Sequence, residues 1–100
     1  MKMTITKTQQ KFLRSKAHHL KPVVWIGQNG LTESVTAELE TALDHHELIK
    51  IKLRVCDREL RNKTVEDICQ TIHCIKIQGI GSIVSIYRRN DKQPVIELPK

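Results

Sequence analysis

Two glycines separated by two carboxamide side chains, Gly27-Gln28-Asn29-Gly30, form the segment of this chain best suited to meeting another molecule's backbone. Glycine lets a chain turn sharply and leaves its amides uncrowded, while Gln28 and Asn29 can donate to phosphate or ribose oxygens. A helical pattern follows at once, so unsatisfied N–H groups and the positive end of the helix dipole face the same place. That setting favours an anion. Taken alone, Gly-x-x-Gly is also an ordinary strand-to-helix turn. Its flank gives it weight. The first 32 residues carry six Lys and Arg and no Asp or Glu, whereas from Glu33 onward eleven basic and eleven acidic residues cancel. The net charge of +6 belongs to the N-terminal third, and a polyanion is the implied partner.

Other chemistry finds less support. Cys69 and His73 stand one helical turn apart with Cys74 next, but zinc would need a fourth ligand such as Cys56, and the paired spacings of zinc sites are missing. His18-His19 and His45-His46 fall at helix ends, where imidazole suits the local dipole. No Ser or carboxylate cluster accompanies either pair to mark a nucleophilic site. Asp57 with Glu59, and Glu66 with Asp67, sit where acids are ordinary. With no phosphate loop or dinucleotide fingerprint, neither an enzyme nor a metal or cofactor is expected. Three cysteines without a Cys-x-x-Cys spacing fit free thiols in a reducing cytoplasm. The longest apolar run, Val23 to Ile26, is too short to cross a membrane, and no secretory signal is visible.

The elements that must position these residues follow from periodicity. A chain of 100 residues, 39% hydrophobic and 28% charged, suits one domain, 1–100, with an ordinary core. Residues 6–20 read as a helix with Phe12, Leu13, Ala17 and Leu20 inward and Thr6 with Gln9 as a capping box. Pro22 ends it and opens a buried strand, Val23 to Ile26. After the glycine turn, Thr32 caps a second helix that buries Leu31, Val35, Leu39, Ala42 and Leu43 and runs to about His46. Leu48 to Val55 alternates as a half-buried strand. Residues 57–63 read as a loop, and Thr64 with Asp67 as the start of a third helix. Strands near 74–78 and 82–88 flank a turn at Gly79-Ile80-Gly81. The tail from Asn90 reads as extended, broken by Pro94 and Pro99. The expected fold is a two-layer α/β sandwich with a mixed four-stranded sheet and three helices, ordered α-β-α-β-α-β-β, with the helices covering mainly one face.

On this frame Lys7, Lys11, Arg14 and His18 share the outer face of the first helix, with Lys21 beyond. Ordinary solvated faces mix charge signs, and this one has no acid. Lys50, Lys52 and Arg54 form a row at roughly 6–7 Å spacing, near the phosphate repeat of a nucleic-acid strand; edge protection by lysine explains such a row equally well. Arg88 and Arg89 either extend this surface or cap the last strand. With three aromatics in all, Phe12, Trp25 and Tyr87, any nucleic acid is expected to be held through backbone and shape, and RNA is favoured over DNA.

The segments Leu20-Lys21-Pro22-Val23-Val24, Ile26-Gly27-Gln28-Asn29-Gly30-Leu31-Thr32, Glu47-Leu48-Ile49-Lys50-Ile51-Lys52 and Tyr87-Arg88, taken in order, resemble the CRM domain, the chloroplast RNA splicing and ribosome maturation family, in its stand-alone bacterial YhbY-like form. The resemblance spans about residues 4–98. It implies a fold similar to the C-terminal domain of bacterial initiation factor three and an RNA-contacting loop at Gly27 to Gly30, joined by the basic residues of the first helix. It also implies association with ribosomal RNA in precursors of the large ribosomal subunit. Where multidomain relatives have a basic residue between the glycines, this chain has Gln28 and Asn29, which shifts weight to Lys7, Lys11 and Arg14. Trp25 stands where an aliphatic residue is more usual.

The expectation is a monomeric, cytoplasmic RNA-binding protein with no membrane contact. Its candidate contacts are Lys7, Lys11, Arg14, Lys21, Gly27, Gln28, Asn29, Gly30, Thr32, Lys50, Lys52, Arg54 and Arg88. The alternatives are a ribosome-associated factor acting mainly through protein contacts, or a small His-dependent RNA hydrolase.

Overall fold

The computed structural model describes residues 5–55, 57–90, 92–96 and 98. The chain runs α1 (Lys7–Ala17), β1 (Pro22–Ile26), α2 (Glu33–His46), β2 (Leu48–Leu53), α3 (Arg58–Ile72), β3 (Ile75–Ile80) and β4 (Ile83–Tyr87). The expected order and element types are borne out. The sheet is mixed, in the order β1-β2-β4-β3, with β1 parallel to β2 and the other pairs antiparallel.

Local chemistry sets most boundaries. The Thr6–Gln9 capping box forms in both directions, and Thr32 Oγ1 accepts the Val35 amide at 3.2 Å. α1 stops at Ala17, short of residue 20, because Lys21 precedes proline and is pushed out of the helical region; Leu20 is left part-exposed. The loop expected over 57–63 is helical. Asp57 caps α3 by accepting the Glu59 amide at 2.9 Å, and the polar residues behind it are good helix formers. Thr64 is therefore buried inside the helix, its hydroxyl donating to the Leu60 carbonyl. The hairpin turn lies at Gly81-Ser82, because Gly81 supplies the positive φ (+59°) that a two-residue turn requires. Gly79 stays in β3, and the Lys76 side chain lies across it. Pro99, expected to break the tail, lies outside the described residues.

Two clusters fill the faces of the sheet. α2 and α3 cover one face, where Leu39, Leu43, Ile68 and Ile72 meet Val24, Ile26, Ile49, Ile51, Leu53, Val84 and Ile86. This is the layer expected from the alternation of β2. α1 lies on the other face, packing Leu13 and Ala17 against Leu48, Ile77 and Tyr87, with Ile96 and Leu98 of the tail at its edge. It covers only one end of that face. β1 is consequently not buried on both sides: Val24 and Ile26 point inward, while Val23 and Trp25 are open.

Glu47 secures the end that α1 covers. It is fully buried, and its carboxylate accepts the backbone N–H groups of Asn90 (2.6 Å), Val95 (2.7 Å) and Ile96 (2.5 Å). Its own carbonyl accepts from the Arg88 amide. The residue has φ +61°, unfavourable for any side chain but glycine, and these bonds hold it there. One residue thus closes α2, its amide donating to the Leu43 carbonyl at 2.8 Å, and straps the tail over the second cluster through its carboxylate.

Candidate nucleic-acid interface

The glycine segment folds as a tight turn at the C-terminal end of β1. The Gly30 amide donates to the Gly27 carbonyl at 3.1 Å, and the Thr32 amide donates to the Gly30 carbonyl at 3.1 Å. Gly30 needs its positive φ of +70°. Gly27 has no such need, and a Cβ there would touch nothing within 4 Å. Neither conformation nor packing inside the chain requires glycine at 27. What glycine leaves there is room for an outside molecule. Gly27, Gln28 and Asn29 are exposed and Gly30 is half-buried. The amides of Gly30 and Thr32 are spent on the turn, and Glu33 places a carboxylate in the first turn of α2, so the helix start is less anion-ready than its sequence suggests.

β1 leads from this turn back along the uncovered sheet face. Side chains alternate, so Lys50 and Lys52 share a face with Leu48 and therefore with α1. Register places Trp25 beside Lys52, Lys52 beside Ile83 and Ile83 beside Ile80, one row across all four strands. The next row holds Lys50, Ser85 and Gln78. A groove of about 510 Å³ separates the end of α1 from β1 and β2, apolar at Leu20, Val23 and Leu48 and rimmed by Lys16, Lys21 and Lys50. Lys7, Lys11 and Arg14 are exposed on α1, as are Lys21 at the head of β1 and Arg54 just past β2.

The acids are elsewhere. Glu33, Glu38, Glu40 and Asp44 belong to α2, and Asp57, Glu59, Glu66 and Asp67 to α3 and its cap. Among the described residues of α1, β1 and β2 there is no carboxylate, and Glu47 between α2 and β2 is buried under backbone amides. Among the described residues the exposed carboxylates therefore lie on α2, α3 and its cap, where α3 also carries Arg58, Arg61 and Lys63, and α1, β1 and β2 are left purely basic.

Arg88 departs from this surface and is corrected. Its guanidinium meets the Glu40 carboxylate at 2.8 Å and that of Asp44 at 2.9 Å, and it donates to the Ile72 carbonyl at 3.1 Å. Those partners consume its charge on the α2 side. Thr32 is exposed beside the turn, but its Oγ1 is engaged in capping. Two residues join the site that periodicity did not supply. Trp25 lies on the open face, and Lys63, together with Asp67, lines a hollow of about 400 Å³ opposite Gln28, Asn29 and Gly30. Lys63 was hidden by reading its helix as loop.

Cys69 and Cys74 lie off this surface, while His19 and His46 line the groove at the end of α1. The Cys74 thiol donates toward Cys69 Sγ at 3.9 Å on the helix-covered side. That bond, with the Lys76 amide and charge, lowers the Cys69 thiol to about 7, against the opposing effect of burial; the Cys74 thiol is pushed up by the same bond and by burial. Among the described residues, no three His, Cys, Asp or Glu side chains come together as a metal site. His18, His19, His45 and His46 end α1 and α2, at the opposite end of the sheet from the glycine turn. No helix among the described residues is long and apolar enough to cross a membrane.

A mixed sheet with two helices on one face, a third across part of the other, and a glycine turn beside a cationic open surface defines an open-faced α/β domain. The chain belongs to the CRS1/YhbY (CRM) domain family, whose model matches residues 5–88. It is 44% identical over 97 residues to an RNA-binding protein of Haemophilus influenzae, covering 97% of each chain. A Pseudomonas aeruginosa protein, named a probable RNA-binding protein, is 44% identical over 90 residues, covering 90% of this chain and 86% of that one. The solution structure of a hypothetical protein from Staphylococcus aureus superposes with a TM-score of 0.81 at 30% identity, covering 96% of this chain and all of the other.

Proposed function

We propose that this chain is a non-enzymatic, cytoplasmic RNA-binding protein, a monomer with one CRM unit over residues 1–100, that acts on ribosomal RNA during assembly of the large ribosomal subunit. The observation that carries it is the segregation of charge. α1, β1 and β2 present lysines and arginines with no exposed carboxylate, while the exposed acids among the described residues lie on α2, α3 and its cap. Family membership and the relatives' names support RNA as the polyanion. In this scheme Lys7, Lys11, Arg14, Lys21, Lys50 and Lys52 attract and neutralise phosphates. The open space at Gly27 lets the ribose-phosphate chain approach the backbone, and Gln28 and Asn29 donate to it.

The test is binding of purified protein to naked ribosomal RNA across a salt series. Neutralising about five phosphates gives a log–log slope of roughly −3 to −5. A flat dependence contradicts the proposal. The exposed Leu60, Ile80 and Val95 favour a second reading, in which protein contacts dominate and charge supplies only general attraction. The protein would then join ribosomal particles while ignoring naked RNA.

The two glycines are expected to behave differently. Gly27→Ala should fold with unchanged stability and bind RNA several-fold more weakly. Gly30→Ala should lose about 1 kcal/mol of stability, because alanine resists the positive φ. Denaturant titration beside RNA-binding curves measures both, and full affinity in Gly27→Ala would remove the turn from the interface.

A further inference from the structure

We infer that Trp25 stacks against an unpaired nucleobase of the bound RNA, so that the surface takes single-stranded or looped RNA rather than continuous duplex. The inference rests on the RNA-binding proposal and adds the class of RNA. Trp25 is the chain's one tryptophan, and half of its surface is open to solvent. Strand alternation keeps it there: Val24 and Ile26 fill the core, so the indole must lie on the side that α1 leaves uncovered. In the row Trp25–Lys52–Ile83–Ile80 an indole and two aliphatic side chains flank a single ammonium, and Ile80 is 62% exposed.

Charge selects the occupant. An apolar protein face covering this row would have to desolvate Lys52 unpaired, since neither this row nor the Lys50–Ser85–Gln78 row offers it a carboxylate. A nucleotide meets both demands, bringing a flat π-face for the indole and a phosphate for the ammonium. Spacing agrees. Trp25 lies two residues before Gly27, roughly 6–7 Å along the strand, near one nucleotide step. A backbone seated at the turn therefore brings an adjoining base to the indole. A duplex keeps its base faces stacked inside and cannot supply one.

Because Trp25 is the sole tryptophan, its emission reports the contact directly. The probes are a fluorescein-labelled mixed-sequence RNA ten nucleotides long and the same strand annealed to its complement, each titrated with wild type, Trp25→Leu and Trp25→Phe. Leucine keeps the apolar strand position and removes the π-face. The single strand should quench tryptophan emission, and the duplex should bind roughly tenfold more weakly, through charge alone and without quenching. Trp25→Leu should weaken the single strand roughly tenfold and leave the duplex unchanged, while Trp25→Phe keeps most of the affinity. Binding without quenching, or equal losses on both probes, overturns the stacking and leaves the RNA-binding proposal intact. Failure of both probes to bind overturns the two together. Emission that changes with protein concentration alone overturns it in favour of contact between copies.

Discussion

Replacing Lys50 and Lys52 together by glutamate is expected to lower affinity for single-stranded RNA roughly 30-fold at about 0.1 M salt. Each phosphate neutralised on a single strand contributes about 0.7 of a power in salt, hence about fivefold at that concentration. Two lost contacts give about 25-fold, and reversed sign adds repulsion. The salt slope should flatten by roughly 1.5. Both lysines lie on the face not covered by α2 and α3, in rows with Trp25 and Ser85, so the strand itself should survive. The same reversal at Arg58, at the start of α3 among the acids, should act only through net charge and cost far less. Equal losses at the two places would mean that attraction is general and the face has no special role.

Glu47→Ala is expected to destabilise the fold by about 3 kcal/mol, because the part-buried amides of Asn90, Val95 and Ile96 all lose a charged acceptor. The unfavourable φ of residue 47 persists in alanine, so nothing offsets the loss. For a chain of this length the melting temperature should fall by roughly 15 °C. Glu47→Gln keeps one acceptor oxygen and should fall between. Amide exchange should show the tail opening first, since Ile96 packs at the edge of the α1 cluster. An unchanged melting temperature in the alanine variant would show that the strap carries no stability.

These two variants separate the binding face from its scaffold, and sequence revealed them unequally. The strict alternation of β2 exposed the core residues Ile49, Ile51 and Leu53 and the lysines between them, because a period of two has one meaning on a strand. Caps at Thr6 and Thr32 were local signals and were legible. The place of α1 was not. Its hint was Leu48, an apolar residue on the otherwise basic side of β2, which must be covered from that side. The continuous apolar run of β1 suggested burial on both faces, and only the distribution of helices decides that Trp25 stays open. Arg88 shows the converse. A basic residue after a strand looks available in sequence, yet Glu40 and Asp44, 44 to 48 residues away, claim it. Long-range pairing of that kind has no local signature. Glu47 was equally silent, because its partners are backbone amides that any sequence would supply.

The central claim is that RNA lies across α1, the open rows of the sheet and the glycine turn. Titrating isotope-labelled protein with single-stranded RNA and following its amide resonances tests that most directly. Shifts should concentrate at Lys7 to Arg14, Lys21 to Gly30 and Lys50 to Arg54, with the exposed residues of α2 beyond its first turn left unmoved. Shifts centred on α2, or spread evenly over the molecule, would contradict it.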